Sequence, residues 1–427
     1  MSIYVHHLIY WKKLNKNTSA DSACDLNWLS LMCFAFPMFQ GLSITLVPLR
    51  MASMGLSETS IGLVQALPGL MVLALGAPFA QMANTRWRSA TLVIVFALVG
   101  TSSLLYGYAD TAVGLILPQL LMGISSCAFY GNMLAVSFQL KGGANQGALQ
   151  GRITAFQGMG VFAGPLLGGW LLPWGATWAF LPGALCALIG AWAAAQLSPT
   201  QDMEERPGMV LYLLSSYGRW YRVMTWRPTV QLGMVLVALS SFQFYVTGGV
   251  FYLVYASSLG ISAFWAAGLM SGRELLGGLV RFSFGIVAKR FGVLMLLVLA
   301  IILGALALAC LPLAHSLWGL AAIALALGIA GAFVPPGLNL LAGASAAPQE
   351  QSFAILCLAT GHFCVQTLTA PLVGVLLASR GYESSYPLIA LLWVALALLT
   401  LKIGRGVLHC RAKEEASLDR VGVGEDT

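Results

Sequence analysis

Charge is what this chain has least of. Only 9% of its 427 residues are Asp, Glu, Lys or Arg, while 59% are hydrophobic. A water-soluble protein carries about a quarter charged residues, so this chain has too little polar surface to cover a soluble particle of its size. Lipid must do part of the solvating. Other absences narrow the class. No CxxC pair occurs among the eight cysteines, and six of them (Cys33, Cys127, Cys186, Cys310, Cys357, Cys364) fall within apolar runs, where small thiols pack well. A disulfide framework is therefore not expected. No glycine-rich P-loop or other nucleotide motif appears, so energy for any uphill process has to come from a gradient. The period-two segments of a membrane β-barrel are missing as well, because runs such as Leu294–Leu308 are apolar on every side.

What is there is a recurrence of apolar runs about 20 residues long, the length that crosses about 30 Å of hydrocarbon at 1.5 Å per residue. Spans are predicted near 28–49, 59–83, 89–108, 112–139, 151–173 and 177–197, then near 231–256, 264–288, 293–314, 317–341, 352–378 and 385–403. The fold class read from this pattern is an all-α integral membrane protein with 12 transmembrane helices in two six-helix halves. Its parts are an N-terminal arm (1–27), a first half (28–197), a central loop (198–230), a second half (231–403) and a C-terminal tail (404–427). The arm is not read as a secretory signal, since Ile3–Tyr10 is short, holds two histidines and precedes the basic residues.

The net charge of +7 would suggest nucleic acid in a soluble chain, but here its placement explains it and no nucleic-acid partner is expected. Of 22 Lys and Arg residues, eighteen fall in the tails, the central loop and the loops after even-numbered spans. Arg50 and Arg380 lie in loops on the other side, and Arg273 and Arg281 lie within a span. The positive-inside rule then puts both termini and the central loop in the cytoplasm. The expected location is a bacterial inner (cytoplasmic) membrane, spanned many times.

Two stretches carry internal likeness. The loop after span 8 reads Gly285-Ile-Val-Ala288-Lys289-Arg290-Phe291-Gly292, and the loop after span 2 reads Ala80-Gln-Met-Ala83-Asn84-Thr-Arg86-Trp-Arg88. Each is a small-residue helix end followed by a basic turn, and they lie 205 residues apart, close to half the chain. Such paired halves are common in transporters, with the substrate site between them near the bilayer midplane. Span 5 contains Gly151-Arg-Ile-Thr-Ala-Phe-Gln157-Gly-Met-Gly160-Val-Phe-Ala-Gly164-Pro165-Leu-Leu-Gly168-Gly169. Glycines allow close helix approach and the proline kinks the helix, so a closely packed, bent span 5 is expected to act as a seal between the halves.

These motifs resemble those of the major facilitator superfamily. Gly285, Ala288, Arg290, Phe291 and Gly292 match its loop signature, with Lys289, and Asn84 in the weaker copy, where the family often has aspartate. The span 5 glycines and Pro165 meet each fixed position of the antiporter motif of the superfamily's exporters. The resemblance implies two six-helix halves that rock about a central cavity, alternating access coupled to an ion gradient, with H⁺ as the ion, export as the direction and a monomer as the working unit. The exporters' span 4 arginine is absent, because Gln119 precedes Gly123 at that place. Coupling would then fall to Glu274 and His362. In length and layout the chain also resembles the facilitator branch associated with the yersiniabactin siderophore system. That likeness would make the cargo a siderophore, or its zinc or iron chelate.

Polar groups within spans are costly and point to transport paths. Glu274 is the one carboxylate of 15 that lies well inside a span. Arg273 adjoins it, and Arg281 is two helical turns on, sharing its face. Two readings stand: a structural ion pair, or a coupling carboxylate facing a cavity. His362 with Gln366 and Thr369 makes a polar stripe on span 11, either lining a cavity or packed between helices. It lies about 140° round the helix from Cys357, so no metal site is expected there, and no cofactor. Gln40 and Ser43 on span 1 and Gln65 on span 2 are further candidates. So are Gln119, Ser126 and Tyr130 on span 4, Ser240, Gln243 and Thr247 on span 7, and Asn339 after the Pro335-Pro336 break. Each amide could be interhelical glue or a ligand contact. Scattered polar groups and short loops provide neither a catalytic cluster nor a receptor domain. The reading is a transporter of a small amphipathic organic solute, and not an enzyme.

Overall fold

Helices are the only elements among the described residues, and a helix is one of the two architectures that satisfy every backbone polar group in lipid. The computed structural model describes residues 2–82, 87–140, 146–197, 209–226, 228–243, 250–337 and 351–422. Asn339, Thr247 and the Asn84–Arg86 turn lie outside them, and only the backbone of Ser240 and Gln243 is described.

Numbered as in the sequence, span 1 belongs to helix Ser2–Ser53 and spans 2 to 6 are Glu58–Met82, Arg88–Tyr108, Ile116–Leu140, Gln146–Leu171 and Ala176–Ala195. Span 7 is described as Pro228–Gln243 and Phe251–Ser258, and span 8 as Ala263–Arg281 followed by Phe284–Phe291. Spans 9 and 10 are Val293–Cys310 and Leu317–Ala332. Nine helices among the described residues are long and apolar enough to cross a membrane by length and composition. One of the nine, Leu356–Ala395, is broken at the non-helical Gly381 (φ 71°, ψ 174°) and overlaps predicted spans 11 and 12. Only glycine adopts that backbone readily. The helices of predicted spans 7 and 8 are not among the nine.

Exposed tryptophans form two bands. Trp170, Trp174, Trp178, Trp265 and Trp318 lie at the span ends away from the basic loops, and Trp87, Trp192 and Trp226 at the basic ends. This is where amphipathic rings prefer to meet headgroups. The central segment holds a helix, Met209–Trp226, that the sequence reading did not separate from the loop. Val223 and the partly buried Tyr217, Trp220 and Met224 pack it on Ala77 and Ala80 of span 2 and on Phe353, Leu356 and Cys357 of span 11. The Tyr217 hydroxyl donates to the Ala74 carbonyl at 2.6 Å. The helix thus touches both halves at the basic end.

The halves meet along two seams, span 2 against span 11 and span 5 against span 8. Along the first, Gly62, Gly69 and Gly374 face the Ala370 carbonyl, Thr367 and the Glu58 carbonyl, so neither backbone has room for a side chain. Span 5 divides its glycines between two partners. Gly158 and Gly169 face Gly278 and Ala267 of span 8, in the other half. Gly160 and Gly164, expected to seal the halves, face Phe34 and Met38 of span 1 within their own half. Pro165 and Gly168 belong to the same stretch, and Gly168 faces Leu46 of span 1. Period explains the split: residues four apart share a face, and Gly158 and Gly169 lie off the 160–164–168 row.

A side chain at Gly164 would run into the Met38 carbonyl and come within 2.8 Å of the Leu42 nitrogen. Gly164→Val is expected to cost about 1–3 kcal/mol through overpacking, read as a lower thermal midpoint of the purified protein in detergent. An unchanged midpoint would mean that spans 1 and 5 are not in backbone contact.

Candidate functional site

Between the two seams lies a cavity of about 210 Å³, lined by spans of both halves. Pro37, Gln40 and Ile44 come from span 1, Tyr130 from span 4, Gln157 and Val161 from span 5, and Ser241 from span 7. Arg273, Glu274 and Arg281 come from span 8, Leu327 and Gly328 from span 10, Gly331, Val334 and Pro335 from the stretch around its end, and His362 from span 11. Residues scattered over more than 300 positions converge here because each of these spans turns one face inward.

Span 8 supplies the charges. Glu274 Oε1 lies 3.5 Å from Arg273 Nε, and its Oε2 lies 3.5 Å from Arg281 Nη2. The three side chains are 8%, 6% and 11% exposed, so the group is withdrawn from water. Arg281 also crosses the seam, its Nη1 donating to the Thr154 carbonyl of span 5 at 3.1 Å. Gly158 makes this possible, since a Cβ there would lie 2.7 Å from the same Nη1. Just beyond Arg281 the helix closes with i→i+3 bonds, Phe282 to Leu279 at 3.3 Å and Ser283 to Val280 at 3.0 Å, and span 8 breaks. Arg281 therefore does more than reach toward an interface: it touches the carboxylate, the cavity and the other half.

Neutral hydrogen-bonding groups complete the lining. Tyr130 OH donates to Gln40 Oε1 at 2.6 Å, linking spans 4 and 1. His362 Nδ1 is 2.6 Å from Ser241 Oγ, which joins spans 11 and 7. Gln157 Nε2 approaches Met133 Sδ at 3.1 Å. Gln157 and Ser241 were not singled out by the sequence reading. A polar residue one place before Gly158, and a serine beside the Ser240–Gln243 stripe, were the available signals.

Other predicted residues go elsewhere. Gln366 does not line the cavity: its Nε2 donates to the Gln65 carbonyl at 3.0 Å, tying span 11 to span 2. Gln119 is fully buried beside the span 2 contact of Gly123 and is likewise absent from the lining. Ser43 and Ser126 bond carbonyls of their own helices, Phe39 and Met122. The loop signature serves as a turn. Gly292, at φ 78°, caps Phe284–Phe291, with its N–H bonded to the Ala288 carbonyl at 2.9 Å. Arg290 is exposed over the Phe291 ring at 5.7 Å, and a side chain added at Gly285 would meet nothing within 4 Å. Gly151 lies beside the Arg281 carbonyl.

Comparison with known proteins completes the picture. A family model described as Major Facilitator Superfamily matches residues 29–270 and 233–417. A crystal structure of a POT family transporter in complex with a thioalcohol-conjugated peptide superposes with a TM-score of 0.73 at 11% identity, covering 90% of this chain and 96% of that one. The human organic anion transporter MFSD10 (TETRAN) superposes at 0.68 and 15% identity, covering 89% and 99%. The nucleoside transporter NupG does so at 0.62 and 14%, covering 88% and 98%. At these identities the likeness is one of fold. A search of curated protein sequences finds no match.

The interhelical role of Gln366 is testable. Gln366→Leu is expected to cost about 0.5–1 kcal/mol, the size of an interhelical bond in lipid, seen as a lower thermal midpoint in detergent. An unchanged midpoint would contradict the bond between spans 11 and 2.

Proposed function

The chain belongs to the major facilitator superfamily of multi-pass membrane transporters, and from that premise we propose that it is an ion-coupled secondary transporter that exports a small amphipathic organic solute. The observation that carries this reading is the cavity between the halves, where Glu274 stands between two arginines and shares the lining with Gln40, Tyr130, Ser241 and His362. A carboxylate at that depth is expensive unless it is used or paired. Here it faces the volume through which cargo would pass.

The mechanism follows from the seams. Alternating access needs the halves to separate at one end while they close at the other. Small residues along spans 2, 11, 5 and 8 allow backbone contact with few interlocking side chains, which suits seams that open and reseal. Arg281 is the polar link across one seam, and a change of charge at Glu274 alters the field that holds it. Protonation of Glu274 is the coupling step we assign. The span 5 glycine motif supports export, and the names of the structurally similar transporters, for nucleosides, organic anions and peptides, support an organic cargo. An orientation with both termini in the cytoplasm, in a bacterial inner membrane, belongs to the same proposal and is supported by the distribution of basic residues.

Two measurements test this. Glu274→Gln is expected to abolish proton-gradient-driven accumulation in inverted vesicles, while downhill exchange of cargo stays measurable; gradient-driven flux at the wild-type rate would refute the coupling role. Comparing metabolites of cells with and without the gene should reveal a solute retained when the protein is missing. Extended to zinc and iron in the presence of a chelator, the same comparison decides against a metal-chelate cargo if metal content is unchanged.

A further inference from the structure

We propose that the cargo bound in the central cavity is a monoanionic organic carboxylate, held by Arg273 and Arg281. This rests on the transporter reading and adds the charge class of what is carried. The first observation is a charge imbalance. Two guanidinium groups and one carboxylate line the cavity, so its formal charge is positive while His362 is neutral. The sequence has no second Asp or Glu within any predicted span. A buried uncompensated charge is strongly unfavourable. A monoanion cancels it, a neutral solute leaves it, and a cation doubles it.

Geometry points the same way. Glu274 is 3.5 Å from each arginine, longer than the ~2.7–2.9 Å of a well-formed charge-assisted hydrogen bond. It is shared between the two. Arg281 Nε is buried with no hydrogen-bond partner among the described residues. A guanidinium presents a planar fork that matches the two oxygens of a carboxylate, so Arg281 keeps donor capacity on a side chain that already faces the cavity.

The remaining lining describes the rest of the solute. Pro37, Ile44, Val161, Leu327 and Val334 offer an apolar wall, and Gln40 and Tyr130 offer neutral hydrogen bonds. The cavity volume is about 210 Å³. That suits a carboxylate on a compact, partly apolar skeleton.

The test is equilibrium dialysis of the full-length protein in detergent against an equimolar mixture of matched trios, with retained compounds quantified by mass spectrometry. Suitable trios are benzoate, benzamide and benzylamine, and hexanoate with its amide and amine. Carboxylates are expected to be retained over their amides and amines. Arg281→Gln should weaken that retention about 10- to 100-fold, the loss expected for hydrogen bonds to a charged group. Arg273→Gln provides the second arm should either variant be poorly folded, and Arg281→Lys should keep the preference for anions. Glu274→Gln should tighten carboxylate retention by removing the competing charge. Equal or greater retention of amides or amines, retention of no compound at millimolar concentration, or an unchanged charge ranking in both Arg→Gln variants would overturn the proposal. The transporter reading is tested separately by the cell comparison, whose outcome does not depend on the charge of the solute.

Discussion

Two arginines reach one carboxylate from opposite directions along span 8, and much of the rest of the molecule is arranged to make that possible. A charge away from water must be answered by the protein, because lipid offers neither donors nor counter-ions. Glu274 and Arg273 lie side by side on the chain, so their pairing is built into one helix. Arg281 is different. It needs the break after span 8, the space at Gly158 and an available carbonyl on Thr154 to occupy its place. Losing the Thr154 contact would leave Arg281 with Glu274 alone in a low-dielectric setting. The charged trio is therefore a site and, at the same time, a joint between the halves.

The same economy governs the packing. Lipid tails are as apolar as leucine, so burying hydrocarbon does little to hold membrane helices together, and close contact of backbones has to do more. Glycine rows appear along three of the span pairs among the described residues: span 2 with 11, span 5 with 8 and span 5 with 1. The first half adds aromatic stacking around span 1, with Phe36 on Phe129 at 4.2 Å and Tyr106 on Phe180 at 5.2 Å. A firm first half and smooth seams between the halves are what a rocking motion calls for.

The helix Met209–Trp226 adds a connection at the basic end. It carries buried residues three and four apart, yet it is too polar to read as a span, and its place between spans 2 and 11 is a tertiary fact. Its exposed Trp226 and Tyr221 join the band of aromatic residues at that end. Linker and membrane surface thus meet where the halves would part.

Composition and run length were sufficient for the membrane class and the helical fold, because hydrocarbon thickness and backbone satisfaction leave few alternatives; the family resemblance came from the loop signature and the span 5 glycine motif. Glu274, its two arginines, His362, Gln40 and Tyr130 were also legible, since an ionisable or amide group in a span stands out against its surroundings. Which amides face the cavity was not legible. Gln366 and Gln40 look alike in sequence, yet one ties span 11 to span 2 and the other lines the central space. The glycines of span 5 announced close packing without naming the partner, and the structure divides them between span 1 and span 8. The physical reason is the same in each case. A sequence records what a helix face contains, but the partner of that face depends on how the helices are rotated and tilted against one another, and only the assembled bundle decides that.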